Sequence, residues 1–97
     1  MLKAFEDSKD YTFGCPEGTW HGRLDGRRWG KSANLMLYIT DINTNEKYWF
    51  SVFSHARYKA RQGGPSFKTD VQEGDVLVLT TRQTAGGGPY LVSAAAA

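Results

Sequence analysis

Residues 34–53 read NLMLYITDINTNEKYWFSVF, two apolar stretches around a polar turn. Successive side chains of a strand face opposite sides, so a hairpin with one buried face is apolar at every second position only. This one is apolar on both faces. With residues 43–46 as the turn, Ile42 pairs with Lys47, Thr40 with Trp49, Tyr38 with Ser51 and Met36 with Phe53. One face then carries Leu35, Leu37 and Ile39 with Tyr48, Phe50 and Val52, a continuous set suited to a core. The other carries Met36, Tyr38, Trp49 and Phe53 with Thr40, Ser51 and Lys47, which suits a half-wet surface that stacks on something flat. The assignment depends on register, because a slip of one residue exchanges the two faces.

The same alternation places a first strand over residues 19–29, with Trp20, Gly22 and Leu24 on one face and His21, Arg23 and Asp25 on the other. Gly22 and Gly26 permit a bend or bulge there. Arg27, Arg28, Trp29, Gly30, Lys31 and Ser32 then read as a loop with three cations around one indole. After the hairpin, SHARYKARQGGP predicts a short helix, with Ser54 as its cap and Gly63, Gly64 and Pro65 as its stop. Arg57 and Arg61 share a face of that helix at i and i+4. Phe67 and Val71 are candidates to dock on the core. The stretch VQEGDVLVL from Val71 places a turn at Gly74 before a fourth strand. Residues 84–89 form another loop, Tyr90 to Val92 a final short strand, and Ala94 to Ala97 a tail. The first 17 residues, with Phe5, Tyr11 and Phe13 among acids, predict an extra strand or a late-packing tail, aromatic and acidic enough to lie across a basic binding face and compete with its ligand.

Ninety-seven residues make one domain. A 13% aromatic content alongside a mean hydropathy of -0.50 means that bulky rings coexist with many polar residues, so some rings are not core. The net charge of +2 argues little alone, but it is unevenly placed. The first 17 residues are acidic on balance. Arg23, Arg27, Arg28 and Lys31 surround a lone Asp25, and Arg57, Lys59, Arg61 and Lys68 have no acid among them. Two basic clusters point to a localised anionic partner; solvated loops are the plainer explanation. Cys15 is the only cysteine, which excludes an intrachain disulfide and a cysteine-based metal cluster. No signal-peptide core or membrane-length apolar run is present, so a cytoplasmic protein without membrane contact is expected.

The order of a bent first strand, a long hairpin, a short helix, a Gly-Asp turn into strand four and a loop into strand five resembles the oligonucleotide/oligosaccharide-binding (OB) fold. The resemblance covers residues 18–93. Val71-x-Glu73-Gly74-Asp75-x-Leu77 and Trp49-Phe50-x-Val52-Phe53 resemble patterns in bacterial single-stranded-DNA-binding proteins. The chain departs from those proteins in its compact basic loop and in lacking an acidic C-terminal tail, so their tetramerisation and partner recruitment are not carried over. The resemblance implies an all-β, five-stranded barrel with one short helix between strands three and four. It also implies a ligand groove across strands two and three, rimmed by residues 26–33 and 83–88.

Single-stranded nucleic acid needs flat surfaces for its bases and cations for its backbone. Trp29, Tyr38, Trp49 and Phe53 are the candidate stacking residues, and Arg23, Arg27, Arg28, Lys31, Lys47, Arg57 and Arg61 the candidate phosphate contacts. The expected partner is single-stranded DNA or RNA, bound with little sequence preference. Duplex binding is disfavoured because no long basic recognition helix is present. The rival is a protein-interaction or assembly module, in which the same aromatic face forms a homodimer or partner interface. An SH3-like barrel shares short strands and basic loops, and the expected helix before strand four weighs against it. No catalytic residue, cofactor or metal is expected. His21 and His55 have no companions at metal-ligand spacing, no nucleophile elbow surrounds any serine, and Gly86-Gly87-Gly88 runs into Pro89-Tyr90 rather than a phosphate-loop Gly-Lys-Ser/Thr.

Overall fold

The structure, a computed structural model, describes residues 8–29, 35–52, 70–84 and 88–97. The chain is all-β. A turn of 3-10 helix at Ser8–Asp10 leads into β1 (Thr12–Phe13), followed by β2 (Gly18–Trp29), β3 (Leu35–Asp41), β4 (Lys47–Val52), β5 (Val76–Thr84) and β6 (Gly88–Ala96). These six strands form one mixed sheet in the order β1-β4-β3-β2-β5-β6, antiparallel except for the parallel pair of β1 with β4. The expected closed five-stranded barrel is therefore corrected to an open six-stranded sheet. The sixth strand comes from the N-terminal segment, and among the described residues no ladder joins β1 to β6. The helix expected at residues 54–62 lies outside the described residues, as does Phe67.

The sheet curls on itself, since β4 touches β6 although three strands separate them in the order. Curling places one face inside. Trp20 and Leu24 of β2, Leu35, Leu37 and Ile39 of β3, Phe50 of β4, Leu77 and Leu79 of β5, and Leu91 and Ala94 of β6 form the core, joined by Val71. The inward face of the hairpin is thus the aliphatic set expected from its alternation. Ala94 is buried and β6 continues through Ala96, so the alanine run belongs to the strand: its small side chains fit where β6 pairs with Leu77 and Leu79.

The connection from β1 to β2 spans the open side of the curl. Gly14 N–H donates to the Trp49 carbonyl at 3.2 Å, and Cys15 Sγ to the Arg82 carbonyl at 3.4 Å. Deep beneath, Trp20 Nε1–H donates to Thr81 Oγ1 at 2.8 Å, and that hydroxyl donates to the Pro16 carbonyl. Both buried polar side chains are satisfied, which removes the penalty of about 1–3 kcal/mol that an orphaned group would carry.

β2 bends where expected. Its pairing with β3 shifts between Leu24 and Gly26, leaving Asp25 as the extra residue of a bulge. The turn after Val71 docks on that bulge: Gly74 N–H donates to the Leu24 carbonyl at 2.7 Å and Leu24 N–H to the Asp75 carbonyl at 2.9 Å. Gly74 has φ 96°, a conformation that β-carbon sterics disfavour, which explains the glycine there. β2 holds its pairing with β3 through Trp29, so Arg27 and Arg28, expected in a basic loop, belong to the strand.

Candidate nucleic-acid interface

The register of β3 and β4 differs from the expected one by two residues: Tyr38 pairs with Trp49, Met36 with Ser51 and Thr40 with Lys47. A shift of two leaves each side chain on its own face. The cause is the turn. Asp41 N–H donates to the Glu46 carbonyl, Asn45 N–H to the Asp41 carbonyl and Asn43 N–H to Asp41 Oδ1, while Asn45 takes φ 64°. Ile42 thereby joins the turn instead of the strand.

Cross-strand partners share a face, so register builds the outer surface row by row. Arg23, Thr40 and Lys47 form one row. Gly26, Tyr38, Trp49 and Phe13 form the next, and Arg28, Met36 and Ser51 the third. An aromatic row thus runs between two rows that carry cations. Phe13 lies 4.6 Å from the Trp49 ring at 45°, and Tyr38 lies 6.4 Å from it at 30°.

The structure also covers part of this row. Tyr11 sits edge-on to Tyr38 at 5.4 Å and 85°, and Lys47 Nζ lies 5.3 Å from the Tyr11 ring centre. Tyr38 is consequently only 4% exposed, although it faces away from the core, whereas Trp49 is half-buried and Phe13 is 54% exposed. The expectation of an open Tyr38 platform is corrected by this cover.

Asp25 anchors the cover. Its Oδ2 accepts the Tyr11 hydroxyl at 2.7 Å and the Thr40 hydroxyl, and its Oδ1 accepts Arg23 Nε at 2.7 Å. Burial pushes the Asp25 carboxyl up, but the hydrogen bonds from Thr40, Arg23 and Tyr11, with the Arg23 charge, outweigh it and hold the group below its ordinary value. The same contact acts oppositely on Tyr11: burial, then the hydrogen bond to Asp25 and its negative charge, push the phenol well above its ordinary range.

Of the candidate cations, Arg28 is exposed and Lys47 half-buried on the outer face, and Arg23 is exposed while bound to Asp25. Arg27 pairs with Leu37 on the core-facing set. It leaves at the rim, where its guanidinium donates to the Val71 carbonyl and lies 3.6 Å from Glu73. That partnership gives it a role in fixing the docked turn. Trp29 ends β2, paired with Leu35. Lys31, Phe53, Arg57 and Arg61 lie outside the described residues. Sequence reasoning had the aromatic N-terminal segment of Tyr11 and Phe13 as one that could lie across the basic face, but it missed Asp25 as the residue that holds it there. The single acid within a basic cluster was the available signal.

Among the described residues no three His, Cys, Asp or Glu side chains gather as a metal site, and no helix is long and apolar enough to cross a membrane. Comparisons of the chain with protein-family models, curated proteins and solved structures find no match.

Proposed function

We propose that the outer face of β3 and β4 binds single-stranded nucleic acid, with Trp49 as the central stacking residue and Arg23, Arg28 and Lys47 as its phosphate contacts. One observation carries the reading: the aromatic row lies between two rows bearing cations. Two residues along a strand span about 6.8 Å, so charge flanks the rings at close range on either side. Bases would stack on the row while the backbone passes the cations, a combination tolerant of sequence because every base has a stacking face. The OB resemblance supports the same location, since that fold binds ligands on its second and third strands, here β3 and β4.

Phe13 at 54% and Ile42 at 46% exposure favour a second reading, in which the face docks a protein or another copy of this chain. Titrating tryptophan fluorescence with a mixed-sequence single strand at two salt concentrations separates the two. Quenching that weakens with salt supports stacking with phosphate contacts. An unchanged signal at low salt overturns the nucleic-acid reading, and a dimer on gel filtration supports the second.

A further inference from the structure

Tyr11 is held differently from an ordinary packing residue. A planar ring meets the Tyr38 ring, a cation lies against it, and its polar tip donates to a carboxylate at the bulge of β2. Contact with an aromatic ring, a nearby cation and an edge hydrogen bond are also what a nucleobase uses, and a base in place of the edge-on Tyr11 ring could turn to stack on Tyr38. Among the described residues Thr12 and Phe13 alone pair with β4, with Gly14 N–H adding one bond to the Trp49 carbonyl, so little regular ladder fixes the segment that carries the ring. We propose that Tyr11 occupies a base subsite of this chain, that a bound strand displaces it, and that Asp25 then selects a base presenting an amino group.

The inference rests on the single-strand reading and adds to it a competitor and a preference. Asp25 Oδ2 accepts the Tyr11 hydroxyl and the Thr40 hydroxyl, while Arg23 holds Oδ1. When Tyr11 leaves, Oδ2 loses a donor in a partly buried place and needs another. The exocyclic amine of cytosine, adenine or guanine supplies one. Thymine and uracil offer only a ring N–H flanked by two carbonyl oxygens, which would face the carboxylate unfavourably. The Tyr11 hydroxyl is thus an internal stand-in for an amino group, and its removal should ease entry of any base.

The test uses the full chain and its Tyr11→Phe variant with oligodeoxycytidine and oligothymidine of about fifteen nucleotides, near the upper site size of one such fold. The wild type should prefer the cytosine strand by about tenfold, the lower end of discrimination by a good base contact. Tyr11→Phe should bind both strands about tenfold more tightly, because the competing segment has lost a hydrogen bond to a charged acceptor. On the wild type, saturating oligodeoxycytidine should speed amide hydrogen exchange at residues 12–14. Equal affinity for both strands, unchanged or weaker binding by Tyr11→Phe, or slower exchange at residues 12–14 each overturns the inference while leaving the binding face standing. Absence of binding by either protein at low salt overturns the face itself.

Discussion

Gly22→Ala tests the packing that supports the site. Gly22 lies in β2 between β3 and β5, paired with Asp41 and Leu77. An added Cβ would fall 2.5 Å from Ile39 Cγ2, 2.7 Å from Trp20 Cζ3 and 2.9 Å from Leu79 Cδ1. Comfortable carbon contacts are about 3.5–4.0 Å, so all three are far inside the repulsive wall. None of the three neighbours can swing into solvent, because each is buried. Overpacking then belongs at the upper end of its range, about 3 kcal/mol. The backbone at Gly22 is not among the positive-φ positions, so alanine returns about 0.4–1 kcal/mol through a less flexible unfolded chain. The net expectation is a loss of about 2–2.5 kcal/mol. At about 4–8 °C per kcal/mol for a domain of this size, Tm should fall by roughly 8–20 °C. Thermal and urea unfolding followed by tryptophan emission provide the assay. A Tm within about 2 °C of the wild type would refute the close approach of β2 to Ile39 and Leu79.

Asp25 supplies a pH test. Its folded carboxyl lies below the ordinary value of 3.8, so its stabilising contribution is present above that pH and is lost as pH falls through the folded value; the acid limb of Tm against pH should be steeper for the wild type than for Asp25→Asn. Tyr11 has the opposite sign: its contribution is complete below its ordinary value of 10.0 and declines as pH rises through the raised folded value, so Tyr11→Phe should flatten the alkaline limb. In oligonucleotide titrations, Trp49→Ala should cost about 1–3 kcal/mol with little change in salt dependence. Arg28→Ala should flatten the slope of log affinity against log salt by about 0.7, from about -2 for three phosphate contacts on a single strand. Trp20→Phe removes the donor to Thr81 and should cost about 1 kcal/mol from the hydrogen bond alone, measured by urea unfolding.

The faces of the hairpin were legible because alternation is local: Leu35, Leu37, Ile39 and Phe50 are buried as their spacing requires. Their register was less legible, since it depended on Asp41 using its side chain and carbonyl to organise a turn that absorbs Ile42. The bulge in β2 and the Gly74 turn were also readable, each from a glycine where the backbone bends. Placement of β1 was not. A parallel pair of two residues has no turn to announce it, and its position comes from contacts with Trp49, Tyr38 and Asp25 brought together by the rest of the fold. For the same reason a cover by the N-terminal segment could be expected while the ring that lies on Tyr38, Tyr11, went unassigned. Arg27 shows a related limit: its charge suggested a ligand contact, and the docked turn uses it internally.

The parallel pair at Thr12 and Phe13 has another consequence, for the solubility of the folded chain. β4 reads KYWFSV, a strand of high β-propensity with one charge at its start, and β1 lies along it at Tyr48 and Trp49. Unpaired strand edges are templates for other chains, and short edge strands are one way of blunting them. β1 therefore serves as a guard rail: it ends the ladder after two residues and keeps the aromatic middle of β4 from recruiting a strand of another molecule.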